Sequence, residues 1–192
     1  GIGKGDVVAV FIENRPELLV TILALAKVGA ISALLNTSLT RDTLIHSLNL
    51  VTPAAIVVGA ELVPAYLAVR ERVSIEVART WFVADQDTYS HPGIAPEGFV
   101  NLMTASVDAC SDNPASSQQV FFDDPCFYIY TSGTTGLPKA GVFKHGRWMR
   151  SCASFGMIAL DMRPEDVVSC STPLSPVSGF WVCCRSAISG AS

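Results

Sequence analysis

The stretch Asp6-Val-Val-Ala-Val-Phe-Ile12 decides how the rest of this chain is read. It is almost wholly apolar and largely β-branched, the composition of a strand buried on both faces, as strands are in parallel sheets. A helix is expected directly after it. Asn14 can cap that helix, Pro16 suits its first turn, and Glu17 puts a carboxylate at the positive end of the helix dipole. Ala30 to Leu35 then reads as a second strand, after a helix that ends near Gly29.

Between Leu18 and Leu35 Lys27 is the one charged residue, so the stretch is nearly long enough to imitate a membrane span. Lys27 and Gly29 in its middle favour helix-then-strand instead, because a charge at mid-bilayer is costly. The alternation continues outward. Thr40 is placed to cap a helix reaching about Leu50, Ala54-Ala-Ile-Val-Val58 reads as a strand, Leu62 to Arg72 as a helix, and Trp81-Phe-Val83 as a short strand. Repeated β-α-β order predicts an α/β fold, a parallel sheet flanked by helices.

From Asp85 to Asp124 the composition shifts to Pro, Gly, Ser, Asp and Asn, which predicts a long surface connection with one short helix near Leu102 to Val107. Residues 1–120 are therefore expected to form one β-α-β subdomain, with 85–124 irregular, and residues 121–192 to begin a second. Cys126-Phe-Tyr-Ile-Tyr130 reads as a strand and Ala140 to Lys144 as another short one. A helix from about Gly146 to Leu160 follows, with Trp148, Cys152, Phe155 and Ala159 sharing a core-facing stripe. Val167-Val168 is expected to begin a strand and Gly179 to Ile188 to form a helix.

Composition excludes several classes of function. Of the 192 residues 49% are hydrophobic and 16% charged, too apolar for a disordered chain. Thirteen Lys and Arg against seventeen Asp and Glu give a net charge of −4, which excludes a generic polybasic nucleic-acid binder. The six cysteines show no C-x-x-C spacing and the three histidines lie far apart, so no zinc-ligand pattern is present. Reduced thiols are expected, and with them a cytoplasmic setting. The chain opens on Gly1 without a leader-like start and closes on Ser192 within an apolar helical pattern, so it reads as a piece from inside a longer protein.

The segment that carries chemistry is Thr131-Ser132-Gly133-Thr134-Thr135-Gly136-Leu137-Pro138-Lys139, immediately after a strand. Gly133 and Gly136 allow close backbone approach to a ligand, the four hydroxyls supply donors, and Lys139 adds a mobile positive charge. These are the parts of a phosphate cradle. It is not a Walker A loop, because Lys139 follows Gly136 by three positions and leads into a strand-like run. Pro125 to Leu160 contains no Asp or Glu but holds Lys139, Lys144, Arg147 and Arg150, leaving nine cations against seventeen acids elsewhere. A locally positive loop in an acidic protein suits a triphosphate. The competing reading is a flexible hairpin tip with a solvated basic helix behind it.

Thr131 to Lys139, with Phe127-Tyr-Ile-Tyr130 before it, resembles the phosphate-binding motif of the AMP-forming adenylate synthetases: acyl-CoA synthetases, luciferases and peptide-synthetase adenylation domains. Gly5-Asp-Val-Val-Ala-Val, Glu13-Asn-Arg-Pro-Glu17, Ala26-Lys-Val-Gly-Ala30 and Leu35-Asn-Thr-Ser-Leu39 resemble the long-chain and very-long-chain branch that includes fatty acid transport proteins. The resemblance implies the partial N-terminal domain of an acyl-adenylate-forming enzyme. Such an enzyme activates a fatty acid with ATP to acyl-AMP and pyrophosphate, then passes the acyl group to coenzyme A. By carry-over, Thr131, Ser132, Gly133, Thr134, Thr135 and Gly136 would wrap the β- and γ-phosphates, Lys139 would neutralise them, and Mg²⁺ would bridge them without an assigned protein ligand.

The adenine, ribose and C-terminal-domain lysine contacts of the family have no counterpart in this chain, so the missing C-terminal part of the enzyme is an implied partner. Peripheral membrane association of the parent is left open. Where relatives read Pro-Leu-Tyr-His, this chain has Pro173-Leu-Ser-Pro-Val-Ser-Gly179, and Arg185 interrupts an apolar helix. A non-catalytic nucleotide-binding module, a membrane transport component and a ligase for aryl or amino acids remain as alternatives. Cys183 and Cys184 read as buried thiols, His46 and His91 as surface or helix-face residues, and Asp123-Asp124 as the end of a solvated loop. His145 has no proton-transfer partner identifiable from spacing.

Overall fold

The computed structural model describes residues 1–75, 79–84, 94–132, 137–163 and 165–167. In chain order the elements are β1 (Val7–Phe11), α1 (Pro16–Val28), β2 (Ile31–Leu34), α2 (Arg41–Val51), β3 (Ala55–Gly59), α3 (Val63–Leu67) and β4 (Thr80–Val83). There follow β5 (Val100–Asn101), α4 (Leu102–Ser106), β6 (Pro125–Ser132), β7 (Pro138–Lys144) and α5 (His145–Cys152). The strands form one sheet in the order β5-β4-β3-β1-β2-β6-β7. Every described neighbour pair is parallel except β6 with β7. The chain between Ser132 and Pro138 is too short to carry a crossover, so β7 returns antiparallel.

The opening strand is buried on both faces, as its composition requires. Val8 and Val10 enter a core with Leu18, Ile22 and Leu25 of α1 and with Trp148 and Cys152 of α5. Ala9 and Phe11 enter the opposite core with Leu44 and Leu48 of α2 and Tyr66 of α3. Helices thus cover both faces, and the α/β class holds with a mixed, mostly parallel sheet. The strands on either side of residue 120, where composition suggests a change of subdomain, belong to this one sheet.

Local signals set the element ends. Pro16 occupies the first turn of α1, but the N-cap position is Arg15 rather than Asn14. The helix stops at Gly29 in the left-handed region at φ 74°. Gly29 N–H reaches the Ala26 carbonyl at 3.1 Å and Ala30 N–H the Leu25 carbonyl at 3.0 Å, the paired bonds of a Schellman stop. The apolar run from Leu18 to Leu35 is therefore divided between α1 and β2. Among the described residues no helix is long and apolar enough to cross a membrane.

Two expected helices differ from their reading. Leu62 to Arg72 is broken into a 3₁₀ turn at Ala60–Leu62, the short α3, and a second 3₁₀ turn at Arg70–Arg72. Pro64 sits in the first turn of α3, where its missing amide is not needed, and the α-helix ends at Leu67. The helix expected to reach Leu160 is α-helical to Cys152 and then widens into π geometry over Ala153–Ala159. Trp148 and Cys152 are buried as expected, whereas the wider register leaves Ala159 exposed. The short helix near Leu102 is present as α4, capped by Asn101 Oδ1, which accepts from Met103 N–H at 3.0 Å and Thr104 N–H at 3.3 Å. His91, Gly133 to Gly136, Val168, and the Pro173–Gly179, Cys183-Cys184, Arg185 and Gly179–Ile188 readings lie outside the described residues.

Candidate functional site

β6 runs parallel to β2, with Leu34 beside Ile129, so its carboxyl end lies on the same sheet edge as the carboxyl ends of β1 and β2. Open α/β sheets bind ligands along that edge. There Thr131 pairs with Lys139 and Ser132 with Pro138 across the antiparallel ladder. Directly opposed residues of such a pair project to the same face, so Thr131 and Lys139 stand side by side, and both are exposed. Lys139 has no ion-pair partner among the described residues. The ladder thus brings together Thr131, Ser132 and Lys139; Gly133, Thr134, Thr135 and Gly136 fall outside the described residues.

The base of this hairpin is held from both faces. On one, Phe127 meets Trp148 of α5 edge to face with ring centroids 4.9 Å apart. On the other, buried Tyr130 donates from its hydroxyl to the Ser47 carbonyl of α2 at 2.8 Å. Burial pushes the Tyr130 phenol far above its ordinary range, with Tyr128 adding to the shift, so it remains a neutral donor. His46, one residue earlier in α2, places Nε2 3.2 Å from the Pro138 carbonyl oxygen. The helix-face reading of His46 holds, but the ring is half-buried and turned to the hairpin.

The run of cations behind the loop is partly spoken for. Lys144 Nζ pairs with Asp123 at 3.1 Å, the Arg147 guanidinium lies 4.3 Å from the Phe143 ring centroid, and Arg150 Nε donates to the Gly146 carbonyl at 3.1 Å. Lys139 is the cation nearest the loop in sequence. Asp124 is more than the end of a solvated loop: Lys4 Nζ reaches its carboxylate at 2.7 Å and the Gln119 carbonyl at 2.7 Å. Lys4 foremost, with the Phe121 N–H, holds the Asp124 carboxyl below the usual carboxylate range.

His145 follows β7 at its far end, six residues beyond Lys139, or roughly 20 Å along an extended strand. It therefore does not join the loop. Its N–H donates to the Asp124 carbonyl at 3.1 Å, while buried Nε2 has no hydrogen-bond partner. Burial lowers the imidazole below its ordinary value of 6.5; Asp124 opposes the shift and Lys4 adds to it.

Sequence reasoning missed a second charged cluster on the same sheet edge. Arg15, though only 7% exposed, donates from Nη2 to the Val83 carbonyl at 2.9 Å and lies 3.4 Å from Glu61 Oε2. Its Nε lies 3.8 Å from Glu17, and Glu61 Oε1 accepts the Glu13 N–H at 2.8 Å. A Cβ on Gly59 would stand 2.2 Å from Glu61 Oε1, so the glycine makes room for the carboxylate. The signal was the charge density of Glu13 to Glu17 directly after a buried strand. An apolar recess of 270 Å³ between α1, β4 and α4, floored by Val57, Trp81 and Val83, lies toward the opposite side of the sheet from the hairpin. Among the described residues no three His, Cys, Asp or Glu side chains converge to hold a metal ion.

Comparison with known proteins places these features. The family model described as AMP-binding enzyme matches residues 1–192. The chain is 35% identical over 196 residues to the medium/long-chain-fatty-acid–CoA ligase FadD6 of Mycobacterium tuberculosis, covering 100% of this chain and 30% of that protein. It is 36% identical over 183 residues to long-chain fatty acid transport protein 1 of Rattus norvegicus, covering 93% of this chain and 27% of that protein. The chain thus spans under a third of the length of these relatives. The inhibitor-bound N-terminal domain of FACL13 from Mycobacterium tuberculosis matches with a TM-score of 0.78 and 27% identity, over 100% of this chain and 44% of that one. An anthranilate CoA ligase, AuaEII, in complex with anthranoyl-AMP shares the fold at a TM-score of 0.81 and 21% identity, over 100% of this chain and 35% of that one. A family match along the whole chain, carried on this sheet and hairpin, settles the affiliation: the chain belongs to the AMP-binding enzyme family.

Proposed function

We propose that this chain supplies the triphosphate end of the active site in a longer fatty acid–CoA ligase. The observation that carries the reading is the hairpin. The glycine- and hydroxyl-rich segment is flanked at the carboxyl edge of the sheet by Thr131 and Lys139, which are paired and exposed. FadD6 and the fatty acid transport protein among the relatives favour a long-chain carboxylate as the acid to be activated.

In that reaction the carboxylate attacks the α-phosphorus of ATP, and pyrophosphate leaves. One anion approaches another and expels a third, so catalysis rests on positioning and on donors and cations that meet the departing charge. Thr131, Ser132, Gly133, Thr134, Thr135 and Gly136 would offer amides and hydroxyls to the β- and γ-phosphates. Lys139, with no acid beside it among the described residues, fits a group that must neutralise them. Mg²⁺ would be held chiefly by the phosphates and supplies further charge neutralisation when bound. Coenzyme A then receives the acyl group, with AMP leaving. Adenine, ribose and thioester chemistry would be served by the rest of the enzyme, and membrane association, where present, by surfaces of the whole protein.

The test is fatty-acid-dependent ATP/pyrophosphate exchange by the full-length protein. Lys139→Ala combined with Thr134→Ala should lower exchange at least a hundredfold, the scale expected when transition-state donors are removed. Unchanged exchange overturns the loop assignment. MgATP binding heat with no exchange in the unaltered protein would identify a binding module instead of a ligase.

A further inference from the structure

α2 grips both strands of the hairpin at the mouth of the loop with two consecutive residues. The Ser47 carbonyl accepts from the Tyr130 hydroxyl of β6 at 2.8 Å, and His46 Nε2 lies 3.2 Å from the Pro138 carbonyl of β7. These attachments sit within two ladder positions of each other, because Tyr130 pairs with Ala140 and Ser132 with Pro138. Leu44, Ile45 and Leu48 already anchor α2 in the core. A half-buried imidazole between them is not needed for packing.

The attachment at Pro138 acts on a specific torsion. The pyrrolidine ring fixes φ at about −65°, which leaves ψ as the one soft backbone dihedral of that residue. The Pro138 carbonyl and the Lys139 N–H belong to one planar peptide unit. A hydrogen bond from His46 to that carbonyl therefore sets the plane from which Lys139 departs. The neutral Tyr130 phenol meanwhile fixes the strand that carries Thr131.

We propose that His46 is a positioning residue for nucleotide. By holding the Pro138–Lys139 peptide it aims the Lys139 ammonium, and with it the opposing Thr131, at the phosphates. The proposal rests on the ligase reading of the hairpin.

The test is steady-state kinetics of the full-length protein. His46→Leu should raise KM for MgATP about three- to tenfold, the effect of losing one hydrogen bond, and leave KM for the fatty acid within twofold. His46→Gln, whose amide can donate from a similar position, should recover most of the loss. Tyr130→Phe keeps the ring in the core and removes the second attachment, so it should move KM for MgATP in the same direction. It carries the comparison should His46→Leu fail to fold. A general loss of structure would shift both substrates alike and would not be reversed by Gln.

An active unaltered protein in which His46→Leu and Tyr130→Phe both leave KM for MgATP within twofold overturns this inference alone. So does a His46→Gln variant no better than His46→Leu. Absence of fatty-acid-dependent exchange in the unaltered protein overturns the ligase reading, and this inference with it.

Discussion

Arg15 and Val83, 68 residues apart, are joined by a hydrogen bond of 2.9 Å from the guanidinium Nη2 to the carbonyl oxygen. It fastens the turn after β1 to the end of β4, and Glu61 and Glu17 flank the same guanidinium. Removing one partner of a buried charge cluster leaves the others desolvated and uncompensated. Arg15→Ala should therefore lower the unfolding free energy by about 3–5 kcal/mol. Urea unfolding followed by circular dichroism measures it, and a loss under about 1 kcal/mol would show the cluster to be solvated.

Trp148 closes the core between α5 and the hairpin and is 6% exposed. Trp148→Ala should cost about 3–5 kcal/mol through the cavity it leaves beside Phe127. Trp148→Phe should cost clearly less, since a ring still meets Phe127. Equal costs for the two variants in the same urea series would contradict a packing role.

Backbone geometry makes opposite demands at two helix ends. Gly29 has φ 74°, and a Cβ there would lie 3.2 Å from Lys4 Cβ and from Val120 Cγ2. Gly29→Ala should cost about 1–2 kcal/mol or more. Thr52, which ends α2, is held at φ 41° with a β-branched side chain. Thr52→Gly should relieve strain and raise stability by up to about 1 kcal/mol. Thermal melting of both variants checks the pair, and a shift in the same direction for both would refute the conformational explanation.

His145 makes stability depend on pH in a defined sense. Its folded pKa lies below the ordinary value of 6.5, so the unfolded chain takes up the proton more readily. The contribution is fully present above about pH 6.5 and is lost progressively as pH falls from there toward the lower folded value. The groups facing the ring are Asp124 and Lys4. Asp124, also lowered, keeps its contribution until pH falls below its ordinary value of 3.8. His145→Gln should flatten the urea midpoint between pH 7 and 5 and leave the acid limb in place. An unchanged slope in that interval would count against the neutral buried ring.

Much of the fold was legible locally. The apolar run of β1, Pro16 and Gly29 at the two ends of α1, and the strand before Thr131 each state their structure within a few residues, because periodicity, caps and turn chemistry act over one or two turns of chain. The nine-residue segment from Thr131 to Lys139 carries its family resemblance for the same reason.

Other features depend on which segments the sheet order makes neighbours. Placing β6 beside β2 brings His46 to the Pro138 carbonyl across 92 residues and Tyr130 to Ser47 across 83. Lys4 reaches Asp124 in the same way, and Arg15 is buried because the ends of β3 and β4 close over it. Sequence alone determined most of the strands, the ends of α1 and the family to which the chain belongs. Tertiary structure decided which charges are buried, which are paired, and what holds the hairpin, because desolvation and hydrogen bonding across the sheet depend on distances in space that spacing along the chain does not encode.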